Sequence, residues 1–121
     1  MIAAEQTPMR QISVLGSTGS IGVTTLDIVA RFPERFTVTA LAGGRNVERL
    51  AEQIVRFGPE FVAVADDAAA RELRLRLPGF RGEIVPGAAG LDAVATAAGT
   101  DLVVSGLVGA LGLRPTLAAL R

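Results

Sequence analysis

Seven residues constrain the fold of this chain more than any others: Gly16-Ser17-Thr18-Gly19-Ser20-Ile21-Gly22. They lie between a short apolar run, Gln11 to Leu15, and a stretch with helical spacing of Ile21, Val23, Leu26, Ile28 and Val29. A glycine-rich turn from a buried strand into a helix is the opening of a dinucleotide-binding βαβ unit. Gly16 turns the chain off the strand, Gly19 leaves the backbone open to a pyrophosphate, and Gly22 lets the helix pack closely on the sheet. The first N–H groups of the helix, with its partial positive charge, then favour phosphate. The spacing is one residue longer than the common G-x-G-x-x-G, and a glycine triplet also fits a tight turn without a ligand. Its position between strand and helix favours the phosphate-binding reading.

The rest of the chain repeats the same alternation. Phe36 to Ala42, Phe61 to Ala65, Glu83 to Val85 and Leu102 to Ser105 read as further strands. Helices are expected over Ser20 to Phe32, with Ser20 as N-cap and Pro33 as stop. Another follows Asn46, with Val47, Leu50, Ala51, Ile54, Val55 and Phe57 on one face, and ends at Gly58-Pro59. A third is capped by Asp66 or Asp67, carries Leu73, Leu75 and Leu77 and ends at Pro78-Gly79. A fourth covers Ala88 to Ala98, and a last begins at Pro115. Strands alternating with helices imply a parallel sheet with right-handed crossovers and helices on both faces. The expected fold is therefore α/β: a Rossmann-like doubly wound sheet in three layers. Half the residues are hydrophobic but only 4% are aromatic, so Val, Leu, Ile and Ala must fill the core. A length of 121 residues suits one domain, residues 11–121, after a flexible segment, residues 1–10.

Composition narrows the chemistry. There is no Cys and no His, so disulfides, thiolate metal sites and imidazole acid–base catalysis are excluded. All twelve cations are arginines and are balanced by twelve acids, which gives no basic footprint for nucleic acid. No run reaches the ~18 apolar residues of a membrane span, and no secretory signal opens the chain. A cytoplasmic protein is expected. Asp27, Asp66, Asp67, Asp92 and Asp101 have no spacing that suggests a metal pair and read as helix, turn and surface residues. Arg74 and Arg76 read as a solvated face.

The end of the second strand speaks to cofactor choice. An Asp or Glu there marks NAD-binding versions of this fold, because it bonds the ribose 2′-hydroxyl. Here the chain reads Ala42-Gly43-Gly44-Arg45-Asn46, with no acid. A guanidinium pairs bidentately with phosphate, so Arg45 favours the 2′-phosphate of NADPH, and Asn46 can cap its helix and bond the same group. A surface Arg after a turn is the alternative. Gly106 to Gly112 either passes near the nicotinamide ribose or is an ordinary turn.

Several stretches are similar to one family. Ile12 to Gly22 with Thr25-Leu26-Asp27, Phe32-Pro33-Glu34-Arg35-Phe36, Leu41 to Val47, and Gly106-Leu107-Val108-Gly109-Ala110-Leu111-Gly112-Leu113-Arg114-Pro115-Thr116-Leu117 resemble the 1-deoxy-D-xylulose 5-phosphate reductoisomerases. The resemblance implies NADPH contacts from Thr18, Gly19, Ser20, Ile21, Gly44, Arg45 and Asn46. Lys often stands at the position of Arg45 in that family. It further implies a homodimeric enzyme of the non-mevalonate isoprenoid route that is inhibited by fosmidomycin. A divalent Mg or Mn ion holds the phosphorylated sugar, which is rearranged and reduced to 2-C-methyl-D-erythritol 4-phosphate. The family's Asn-Lys-Glu strand, metal ligands, lid and C-terminal domain would follow Arg121. The resemblance thus implies a C-terminally truncated domain without catalytic or metal residues, inactive alone. The alternatives are the cofactor domain of another glycine-loop reductase, of the aspartate-semialdehyde or dihydrodipicolinate type, and a non-catalytic nucleotide-binding module.

Overall fold

The structure, a computed structural model, describes residues 9–96 and 101–105. Five strands, β1 (Arg10–Leu15), β2 (Phe36–Ala42), β3 (Phe61–Val64), β4 (Glu83–Pro86) and β5 (Leu102–Ser105), alternate with four helices, α1 (Ser20–Ala30), α2 (Val47–Phe57), α3 (Asp67–Arg76) and α4 (Ala88–Ala95). The strands form one parallel sheet in the order β4-β3-β2-β1-β5. The chain steps outward from β1 to β4, then returns across the sheet to place β5 on the other side of β1. That reversal is the topological switch of a doubly wound fold.

Strand alternation sorts the core into two halves. On one face Ile12, Val14, Val38, Leu41, Val62, Val64 and Ile84 pack with Leu26 and Val29 of α1, Leu50 and Ile54 of α2, and Leu73 of α3. On the other, Leu15, Ala40, Ala42 and Ala63 meet Val94 and Ala95 of α4. The expected three-layer α/β/α architecture follows. The second face is built of alanines, so α4 approaches closely. A Cβ on Gly90 would lie 2.4 Å from the Val85 carbonyl oxygen and 3.0 Å from Ala63 Cβ.

The helix ends follow capping chemistry. Asn46 accepts from Arg49 N–H at 3.1 Å, and Asp66 accepts from Ala69 N–H at 2.9 Å. Gly58 closes α2 in the left-handed region, its N–H donating to Ile54. Four expectations are corrected. Ser20 is not a cap: Gly19 is the N-cap of α1, without a side-chain bond, so the first turn keeps its N–H groups free of a local acceptor. α1 ends at Ala30, short of Pro33, because the Arg31 and Phe32 N–H groups turn back to Ile28 and Val29. Val55 and Leu75 point to solvent, 74% and 77% exposed, as do about half of Ile21 and Ile28. Each lies one helical step off the buried stripe of its helix. The fourth helix stops at Ala95, with Thr96 as its cap. The expected helix from Pro115, the Gly106 to Gly112 loop and the segment 1–8 lie outside the described residues.

Candidate cofactor site

At the carboxyl ends of the strands, backbone bonds tie neighbouring loops together. Gly16 N–H and Ser17 N–H both donate to the Ala42 carbonyl, at 2.8 and 2.9 Å. Gly43 N–H donates to Ala63, Ala65 N–H to Gly44, and Gly87 N–H to Val64. Gly16 and Gly44 have φ of 74° and 69°, conformations that side chains rarely tolerate. The chain can therefore turn sharply off β1 and β2 and leave a crevice of about 480 Å³ above the sheet. Its walls are the glycine loop (Gly16, Thr18, Gly19), the β2 turn (Gly43, Gly44), the end of β3 (Ala63 to Ala65) and the start of α4 (Gly87, Ala88, Leu91). Small side chains make a smooth, mostly apolar floor, as a planar base requires.

A larger depression of about 630 Å³ lies at the opposite end of the sheet, between Gly58–Glu60 and Gly79–Glu83. Ligands of open α/β sheets bind outside the carboxyl ends of the strands, so size does not decide here, and the smaller crevice is the candidate.

The glycine loop is held by its carbonyls. The buried Gln53 of α2 donates from Nε2 to the Ser17 carbonyl at 2.8 Å, and Arg49 Nη1 reaches the Thr18 carbonyl at 3.4 Å. Thr18 Oγ1 donates to the Gly43 carbonyl at 2.8 Å, tying the loop to the β2 turn. With these acceptors engaged from behind, the loop presents N–H groups at the start of α1. Gly22 brings α1 against the loop: a Cβ there would lie 2.2 Å from the Gly16 carbonyl oxygen. A Cβ on Gly19 would meet only that same oxygen, at 3.5 Å. Gly22 is thus required by packing, whereas Gly19 is open on its outer side.

Of the seven residues singled out in the sequence, Thr18, Gly19 and Gly44 line the crevice, and Ser20, Ile21, Arg45 and Asn46 follow directly on them in the chain. Thr18, Gly19, Ser20 and Ile21 form the loop and first turn of α1; Gly44, Arg45 and Asn46 form the β2 turn. Arg45 is exposed, and its Nη1 pairs with Asp66 Oδ2 at 3.3 Å. The sequence reading missed three residues. Gln53 is a polar residue on the buried stripe of α2, which was its signal. Arg49 sits one turn past Asn46 at the same end of α2. Asp66 became a neighbour of Arg45 only once β3 was placed beside β2. Among the described residues, no group of three or more His, Cys, Asp or Glu side chains could hold a metal ion. No described helix is long and apolar enough to cross a membrane.

The 1-deoxy-D-xylulose 5-phosphate reductoisomerase family model matches residues 12–121. The chain belongs to this family. It is 55% identical over 113 residues to the 1-deoxy-D-xylulose 5-phosphate reductoisomerase of Laribacter hongkongensis and 54% identical over 114 to that of Chlorobium phaeovibrioides. Each alignment covers 93% of this chain, but only 29% and 30% of the relatives, respectively. The chain therefore spans less than a third of those reductoisomerases. Among solved structures, the Zymomonas mobilis reductoisomerase in complex with NADPH superposes with a TM-score of 0.86 at 37% identity, over 93% of this chain and 30% of that one. A reductoisomerase in complex with magnesium gives 0.86 at 33%, over 93% and 28%. The family match decides against the other glycine-loop reductases considered above.

Proposed function

We propose that residues 11–121 form the NADPH-binding domain of a reductoisomerase that converts 1-deoxy-D-xylulose 5-phosphate to 2-C-methyl-D-erythritol 4-phosphate. One observation carries this reading: the glycine loop and the Arg45 turn meet on a single crevice at the carboxyl ends of the strands. The N–H groups of Ser20 and Ile21, at the start of α1, receive the pyrophosphate, with Thr18 and Gly19 framing its approach. The adenine lies on the alanine floor. Gly44 leaves room at the mouth for the ribose, and Arg45 with Asn46 takes the 2′-phosphate. NADPH supplies a hydride for reduction. The larger enzyme binds the phosphorylated sugar through a divalent cation, Mg or Mn, and works as a cytoplasmic homodimer. None of the residues described here is assigned a catalytic or metal-binding role. The relative solved with NADPH supports the cofactor, and the one solved with magnesium supports the metal.

Calorimetry at low salt tests the cofactor reading. NADPH should bind more tightly than NADH, and Arg45→Ala should erase the difference, costing roughly 1.5–3 kcal/mol for one charge-assisted contact. Equal affinity of the parent chain for the two cofactors would remove Arg45 from this role.

A further inference from the structure

Directly after Ala65, which lines the crevice, stands a charge that the NADPH reading does not use: Asp66, paired with Arg45. We infer that Asp66 is a specificity-determining residue, a fixed carboxylate that competes with the cofactor's 2′-phosphate for Arg45 and so limits the preference for NADPH over NADH. This rests on the cofactor reading above.

The two members of the pair are held very differently. Asp66 Oδ1 accepts the Ala69 N–H at 2.9 Å and caps α3, while Oδ2 faces Arg45 Nη1 at 3.3 Å. The carboxylate cannot swing away without uncapping the helix. Its place is further fixed by the preceding residue, since Ala65 lines the crevice and its N–H donates to Gly44 at 3.1 Å. The Arg45 side chain is 81% exposed and follows a glycine in the left-handed region, so it is the partner free to move. An incoming 2′-phosphate must take the guanidinium from Asp66 and then lie beside a carboxylate that stays where it is. Like charges at that distance oppose binding. A 2′-hydroxyl meets the reverse situation, because a carboxylate at the ribose end is the usual acceptor for it in NAD-binding sheets. In those sheets the acid stands at the end of the second strand. Here the acid next to the mouth follows β3, which pairs with β2 through Ala42 and Ala63.

Asp66→Asn tests the inference, because Asn keeps an oxygen to cap α3 and removes the charge. Asp66→Ser, with a cap oxygen too short to reach Arg45, is the second variant. NADPH and NADH would be titrated against the parent chain, both variants, Arg45→Ala and the Arg45→Ala/Asp66→Asn double variant, with folding checked by circular dichroism. The inference expects both Asp66 variants to bind NADPH about two- to fivefold more tightly, with NADH unchanged or weaker. It also expects a smaller gain when Arg45 is already Ala, since the competition is for that guanidinium. Unchanged or weaker NADPH binding by the folded Asp66 variants, with Arg45→Ala still losing NADPH, overturns the role of Asp66 and leaves the cofactor reading in place. An equal gain with and without Arg45 also overturns it. Loss of any Arg45 effect overturns the cofactor reading itself and this inference with it.

Discussion

Gly22→Ala should destabilise the domain by about 3 kcal/mol or more, at or beyond the upper end of overpacking costs. The added methyl would lie 2.2 Å from the Gly16 carbonyl oxygen, 2.6 Å from Ser17 Cα and 2.8 Å from the Ser17 carbonyl carbon. All three are backbone atoms, so no rotamer change relieves the overlap. Either α1 lifts from the loop and loses its packing there, or the loop shifts and strains the Gly16 and Ser17 bonds to Ala42. Urea unfolding followed by circular dichroism would register the loss, since the chain has no Trp or Tyr to serve as a fluorescent probe. Gly19→Ala is the matched comparison. Its methyl makes an ordinary 3.5 Å contact, and its φ of −80° suits any residue. Stability should stay close to that of the parent chain while NADPH affinity falls, because the methyl occupies the path of the pyrophosphate. Similar midpoints for Gly22→Ala and the parent chain would contradict the packing account.

Leu50→Ala should cost about 2–5 kcal/mol, the range for a buried leucine whose cavity does not collapse. Leu50 is fully buried between α2 and the sheet. Its methyl groups lie directly against Gly43, within 2.8–2.9 Å of where a Cβ would be. The cavity would therefore open beneath the turn that carries Gly44 and Arg45. The neighbouring backbone is bound to β3 through Gly43 to Ala63 and Ala65 to Gly44, which restrains collapse. A loss below about 1 kcal/mol in the same urea series would mean that the turn settles into the space and is less rigid than its hydrogen bonds indicate.

What could be read from the sequence depended on how local the cause was. The turn at Gly16, the cap at Asn46 and the break at Gly58 each rest on residues a few positions apart, and all three stand in the structure. The five strands were legible as apolar runs: β2 and β5 have the bounds read from the sequence, and β1, β3 and β4 differ by one residue at one end. Side-chain exposure was less so: Val55 and Leu75 are apolar residues that helical geometry turns to solvent, and composition alone does not separate them from Ile54 and Leu73. The contacts that shape the crevice join distant parts of the chain. Gln53 meets Ser17 across 36 residues, and Thr18 meets Gly43 across 25. The pairing of Arg45 with Asp66 depends on β3 lying next to β2, a consequence of topology. The absence of an acid at the end of β2 was correctly read from the sequence, whereas the pairing of Arg45 with Asp66, which follows the neighbouring strand β3, was not.

The most direct test of the cofactor site is amide chemical-shift mapping of the ¹⁵N-labelled chain during titration with NADPH. The largest changes should fall on Thr18, Gly19, Ser20, Ile21, Gly44, Arg45 and Asn46, with Gly58–Glu60 and Gly79–Glu83 unmoved. Changes centred on that second depression, with the glycine loop silent, would contradict the assignment of the crevice to NADPH.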